Sequence, residues 1–191
     1  RYCHRNLEKT FPKIKCKKVL EIGAGSEPHY EYLENKDLKY FILELKGQRK
    51  KINKKFIYKF YNGKNIPFKD KEFDRIILSH TLEHIPSPEE FLNQVAKKVR
   101  KGGVISISLP TDPAVMWRIG RLFNKIFKIK KSLNTSSLEY DYMNSIEHIN
   151  SFFNLYNIIN YNFKGKLKDD FLPFKINLPD LNLFYNVHLT K

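Results

Sequence analysis

Residues 19–26, Val-Leu-Glu-Ile-Gly-Ala-Gly-Ser, constrain this chain more than any other stretch. Val19, Leu20 and Ile22 supply the short apolar run of a strand covered on both faces. The run breaks straight into Gly23 and Gly25, which let the backbone turn sharply and let a ligand approach where a Cβ would obstruct it. Glu21, inside that run, is costly to bury unless a polar or cationic group meets it. Many α/β proteins place Gly-x-Gly after a strand and bind no nucleotide, so the residues downstream decide what the turn is for.

Downstream, strands and helices alternate. Leu38–Leu45 reads as a second strand ending in Glu44, Phe56–Tyr61 as a third, Asp74–Ser79 as a fourth and Val104–Leu109 as a fifth. Glu27–Leu33 reads as a helix start that tolerates Pro28 in its first turn. Pro88–Arg100 has helical periodicity, with Phe91, Leu92, Val95 and Val99 on one face, Ser87 as N-cap and Lys101-Gly102-Gly103 as its stop. Such alternation predicts a parallel, doubly wound α/β sheet, whose ligands sit at the C-terminal ends of the strands. Gly23, Glu44, Asn62 and His80 all fall there. Glu44 lies 19 residues past Gly25, the spacing at which a carboxylate grips a ribose diol. The plainer alternative is an ion pair with Lys46 or Lys50. Pro28 stands where a nicotinamide-type Gly-x-Gly-x-x-Gly needs its last glycine, and no P-loop lysine pattern is present, which argues against both classes.

At 191 residues the chain is expected to form a single domain with a substantial core. Its net charge of +15 is carried mostly by lysines spread along the whole length. That distribution fits solvated faces better than a nucleic-acid site, although phosphate contacts are the alternative. Cys3 and Cys16 are too few for a metal cluster or disulfide framework, so a reducing, cytoplasmic setting is expected. No apolar run approaches a membrane span and no signal-peptide pattern opens the chain. It begins at Arg1 rather than Met, as a fragment lacking N-terminal residues would. Residues 1–18 read as a basic, partly helical lead-in beside the first strand, anchored by Tyr2, Leu7 and Phe11.

In the second half, Ala114–Lys131 carries Val115, Ile119, Leu122, Ile126 and Ile129 at helical spacing among Arg118, Arg121, Lys125 and Lys128. This is a basic amphipathic helix. Two readings stay open: a lid over the active site, or a surface helix meeting anionic lipid at the inner membrane surface. Residues 132–145 read as a loop and Ile146–Ile159 as a helix with Ile149, Phe152, Phe153, Tyr156 and Ile159 inward. Tyr161–Phe163 and Leu183–Leu189 read as the last two strands. His148 is a candidate general base or a capping residue.

Taken in order, these motifs resemble the class I S-adenosylmethionine-dependent methyltransferases, and within them the type 11 branch. The resemblance rests on VLEIGAGS (19–26), the acid of YFILE (40–44), IPFKDKEFDRIILSHTLEHIPSPEEF (66–91) and KKVRKGGVISISLP (97–110). It implies a Rossmann-like seven-stranded sheet of order 3-2-1-4-5-7-6, last strand antiparallel, with helices on both faces and a lid or substrate insertion over 112–145. It also implies S-adenosyl-L-methionine as cofactor and S-adenosyl-L-homocysteine as product. Glu21, Gly23 and Gly25 match the loop that takes the methionine end, and Glu44 matches the ribose-binding acid. Asn62 stands where the family often has an aspartate near the adenine amino group. Ser79 and His80 match the segment beside the methyl group and acceptor. Glu27 departs from the pattern, occupying a position where a third glycine is common. His80 is the first candidate for a base and His148 the second, while Glu83 and His84 are expected to cap or pack the following helix. The expected acceptor is a small molecule, glycan or lipid-linked molecule, with cell-surface polysaccharide biosynthesis as one setting. An RNA methyltransferase and a non-catalytic S-adenosylmethionine-binding protein are the alternatives.

Overall fold

The structure, a computed structural model, describes residues 1–47, 53–127, 137–163 and 167–191. A seven-stranded sheet organises it: β1 (Lys18–Ile22), β2 (Lys39–Leu45), β3 (Ile57–Tyr61), β4 (Phe73–Ser79), β5 (Val99–Pro110), β6 (Leu167–Leu172) and β7 (Phe184–Thr190). Their spatial order is β3-β2-β1-β4-β5-β7-β6, with β1–β5 parallel and β7 antiparallel to both its neighbours, as the resemblance implied. The helices are α1 (Tyr2–Lys9), α2 (Pro88–Lys98), α3 (Val115–Phe127), α4 (Ser137–Glu147) and α5 (Phe152–Asn162). None of the described helices is long and apolar enough to cross a membrane.

Strand alternation sorts the sheet into two unlike faces. Leu20, Ile22, Leu43, Ile76, Leu78, Ile105, Ile107 and Val187 point to one face and pack with Leu92 and Val95 of α2 and Phe152, Leu155 and Ile159 of α5. Val19, Tyr40, Ile42 and Ile77 point to the other, where they meet Leu7 of α1 and Tyr30. α1 lies over β5 and β7, and its Leu7 also joins the cluster that holds Val19 of β1. Leu7 and Cys3 are its buried residues, and Tyr2 is exposed.

Several sequence expectations need correction. The helix expected from Glu27 is only a 3-10 turn, His29–Tyr32, because Pro28 has an extended backbone and the buried Glu21 carboxylate takes the His29 N–H. β5 starts at Val99, not Val104: Val99 pairs with Phe73 ahead of a register shift, and the strand runs through Gly102-Gly103. Ser87 caps α2 by position without a side-chain bond. Of the expected 132–145 loop, residues 137–145 belong to α4, and 132–136 lie outside the described residues, as do 128–131 of the basic helix. The next helix begins at Phe152, where the Ser151 hydroxyl accepts from Asn154 N–H at 3.3 Å. Phe152, Leu155 and Ile159 face inward, while Ile149 and Phe153 are exposed. Tyr161 and Asn162 end α5, and the sixth strand is Leu167–Leu172.

Candidate active site at the ends of the central strands

The glycine loop takes its shape from what surrounds it. Gly23 sits at φ +72°, and a Cβ there would lie 2.8 Å from Thr81 Oγ1. Thr81 is fixed by donating to Ile22 O at 2.9 Å, so the segment after β4 packs directly onto the loop. Gly25 sits at φ +61° with nothing within 4 Å of a Cβ position, which is a cradle open to a ligand. Glu44 is buried at the end of β2, and its Oε1 accepts from Gly25 N–H at 3.2 Å. One carboxylate therefore joins the loop to the neighbouring strand end.

Glu21 points away from this cradle, onto the α1 face. Its carboxylate accepts from Tyr40 O–H at 2.6 Å and from His29 N–H at 2.9 and 3.1 Å. Burial pushes its pKa up to about 7 against the pull of those bonds. The structure thus gives Glu21 the task of holding the turn that follows the glycines. Asn62 is exposed past β3, its Oδ1 accepting from Lys64 N–H at 3.1 Å. Ser79 is buried, with an Oγ that has no hydrogen-bond partner.

His80 follows at φ +52°, a left-handed conformation uncommon outside glycine and a mark of constrained sites. Its N–H donates to Ser108 O at 2.9 Å, and its Nδ1 lies 3.6 Å from Glu83 Oε1. Burial alone would lower its pKa, but hydrogen bonds to Cys3 and Glu83 outweigh it and raise the value to about 9. His148, between α4 and α5, points its Nδ1 at Asp112 Oδ2, 3.4 Å away, and Asp112 also pairs with Arg121 of α3. Glu83 and His84 do not cap α2. Glu83 is buried, and His84 Nδ1 donates to Glu147 O at 2.7 Å. The fold therefore gathers Gly23, Gly25, Glu44, Ser79 and His80 around one edge, and brings His148 to Glu83 and His84. Thr81, Asp112 and Cys3 were not legible in advance, since each acts through partners far away in sequence.

The profile of a methyltransferase-domain family matches residues 1–161. The chain belongs to that family, and its sheet has the strand order of the class I S-adenosylmethionine-dependent methyltransferases. Solved structures share its fold. A possible histamine N-methyltransferase from Thermotoga maritima is 17% identical, with a TM-score of 0.66 over 100% of this chain and 88% of its own. The plantazolicin methyltransferase, in complex with a monoazolic desmethylPZN analogue and S-adenosylhomocysteine, is 16% identical, with a TM-score of 0.67 over 98% of this chain and 80% of its own. A SAM-dependent methyltransferase from Archaeoglobus fulgidus is 18% identical, with a TM-score of 0.63 over 98% and 92%. No curated protein matches in sequence.

Proposed function

We propose that this methyltransferase uses S-adenosyl-L-methionine to methylate a small-molecule, glycan or lipid-linked acceptor. The bond from Gly25 N–H to the buried Glu44 carboxylate carries the cofactor assignment, because it sets an open glycine cradle against an acid suited to a diol. Glu44 is assigned the ribose hydroxyls, the Gly23–Gly25 backbone the methionine end and Asn62 the adenine rim. The cofactor supplies a methyl group already activated by sulfonium charge, so the protein's task is alignment and exclusion of water. His80 is assigned the positioning of the acceptor.

The acceptor class is supported by the surface next to this edge. Val115, Ile119 and Leu122 of α3, and Met143 and Ile146 of α4, are exposed. Arg118 is exposed on the same helix. Apolar side chains with basic neighbours suit an amphiphilic acceptor held at a membrane surface.

Calorimetry with S-adenosylmethionine and S-adenosylhomocysteine tests the cofactor assignment. Loss of a charge-assisted hydrogen-bond pair, about 1.5–3 kcal/mol, predicts affinity roughly 10- to 100-fold weaker in Glu44→Ala. No binding by a folded wild-type protein would overturn the assignment.

A further inference from the structure

We propose that Glu83, His84 and His148 bind a divalent transition-metal ion beside the cofactor loop. A carboxylate oxygen of Glu83 and one ring nitrogen from each histidine all lie within 4.8 Å of one another. Both imidazoles are prepared as ligands. His84 Nδ1 stands 2.7 Å from Glu147 O, and a carbonyl only accepts, so the proton is on Nδ1 and the lone pair on Nε2. His148 Nδ1 faces the Asp112 carboxylate at 3.4 Å, which selects the same tautomer. Metal-ligating histidines are oriented in this way, giving one N–H to a carbonyl or carboxylate and leaving the other nitrogen for the ion.

Glu83 provides an independent observation. The residue is 2% exposed, and its Oε2 is buried with no hydrogen-bond partner. A buried carboxylate oxygen in that state is costly, and a cation removes the cost. Asp112 Oδ1, behind His148, likewise has no partner.

The donor set chooses the ion. Magnesium and calcium favour all-oxygen sites, whereas two imidazoles and one carboxylate suit zinc and its first-row neighbours. Three protein ligands leave a position open. Glu83 is two residues from Thr81, whose hydroxyl bonds Ile22 O at the start of the glycine loop, so the ion lies next to the cofactor site. There its open position would take a hydroxyl oxygen of the acceptor and lower its pKa, so that the proton leaves to bulk water and the oxygen's electron pair forms the new O–CH3 bond as the S–CH3 bond of the sulfonium breaks. This role, unlike ion binding itself, rests on the methyltransferase reading above.

The test uses untagged protein stripped with chelator and titrated with Co²⁺ and with Zn²⁺. One ion per chain is expected, with the intense visible absorption of four- or five-coordinate Co²⁺. His84→Ala and His148→Ala should each weaken binding at least tenfold. Glu83→Gln, which keeps the buried volume, should do the same and serves if an alanine variant does not fold by circular dichroism. Equal affinity in the wild type and a folded His84→Ala/His148→Ala double variant overturns the site, as does only the weak spectrum of hydrated Co²⁺. Calorimetry with S-adenosylmethionine on the same preparation separates the two readings. Ion binding without cofactor binding keeps the site and removes its methyl-transfer role, whereas cofactor binding without ion binding removes the site alone.

Discussion

On the sheet face covered by α2 and α5, the central strands turn Leu20, Ile76, Leu78, Ile105, Ile107 and Val187 inward, and every one is buried. On the face covered by α1, the same strands turn Glu21, Arg75, Ser106, Ser108, Asn186 and His188 inward, and these are buried too. The second face works as a directed hydrogen-bond chain. Arg75 Nη1 donates to Glu8 Oε2 at 2.7 Å and its Nε to Ser106 Oγ at 2.9 Å. Since the guanidinium only donates, the Ser106 hydroxyl is left to donate to His188 Nδ1 at 3.0 Å, and His188 Nε2 donates to Thr10 Oγ1 at 3.1 Å. The same Glu8 Oε2 also accepts from His29 Nε2 at 3.0 Å, and His29 Nδ1 accepts from His4 Nδ1, nearer the start of α1, at 2.9 Å. Apolar burial holds α2 and α5 without demanding one alignment, whereas each of these bonds fails if α1 slides. One face holds the fold together; the other fixes where α1 sits relative to His80.

The comparison breaks most sharply at Glu8. Glu8→Ala leaves the buried Arg75 without its acceptor, beside an Nη2 that already has no partner. Removing one member of a buried pair costs about 3–5 kcal/mol. For a chain this size that lowers the Tm by roughly 10 °C. Adding Arg75→Met should recover more than half of the loss, since a buried pair replaced by apolar groups is often nearly neutral. On the apolar face, Leu92→Ala costs about 2–5 kcal/mol through a cavity, and no second polar substitution repairs it. Thermal unfolding of the three variants decides the matter. A double variant no more stable than Glu8→Ala would mean that the ion pair is not what secures α1.

These two faces also explain what was legible in the sequence. The apolar face shows itself in alternation within each strand, so β1–β4 were placed to within a residue or so and α2 to within two. The glycine loop and Glu44 were legible because their spacing is set by one strand, one turn and the next strand. Arg75 and His188 were read only as strand residues, because their partners Glu8 and Thr10 lie far away in the chain. Glu83, His84 and His148 were separated by the same kind of distance. β6 was missed because Lys168, Asp169 and Asp170 interrupt its apolar residues, as an edge strand allows. Tyr161–Phe163, which reads as a strand in the sequence, ends α5 instead.

The pH dependence of stability sharpens the same contrast. Burial, with Arg75 nearby, lowers the pKa of His188 from 6.5 to about 3. Burial works against ionised Glu8, but His29 and Arg75 bring it from 4.5 down to about 2. Both folded values lie below the unfolded ones, so both groups contribute stability that is present at neutral pH. The His188 contribution is lost as pH falls from 6.5 towards 3, and that of Glu8 from 4.5 towards 2. Glu21 has the opposite sign: its pKa is raised from 4.5 to about 7, so its contribution is complete below 4.5 and lost as pH rises through 7. Below pH 4.5, where the Glu21 contribution is complete and those of His188 and Glu8 are both being lost, wild-type stability should therefore fall by an amount on the order of a few kcal/mol. His188→Gln should flatten that limb, Glu21→Gln should steepen the curve between pH 6.5 and 4.5, and Leu92→Ala should shift the whole curve down in parallel. A His188→Gln variant whose Tm follows the wild-type pH curve would show that His188 contributes no proton-linked stability.

The smallest effect is expected where the faces meet, at the end of β1. Gly23→Ala and Gly25→Ala both force an L-residue to positive φ, at about 1–2 kcal/mol each. At Gly23 the new methyl also strikes Thr81 Oγ1 and Cγ2, at 2.8 and 2.9 Å. Moving Thr81 breaks its bond to Ile22 O, worth about 0.5–1.5 kcal/mol. Gly23→Ala should therefore lose both stability and cofactor affinity. At Gly25 the methyl meets no protein atom, so stability should fall only by the strain while cofactor affinity drops tenfold or more. The two alanines thus separate a glycine required by the protein's own packing from one required by its ligand. If Gly25→Ala bound S-adenosylmethionine as tightly as the wild type, the open space above Gly25 would not be where the cofactor lies.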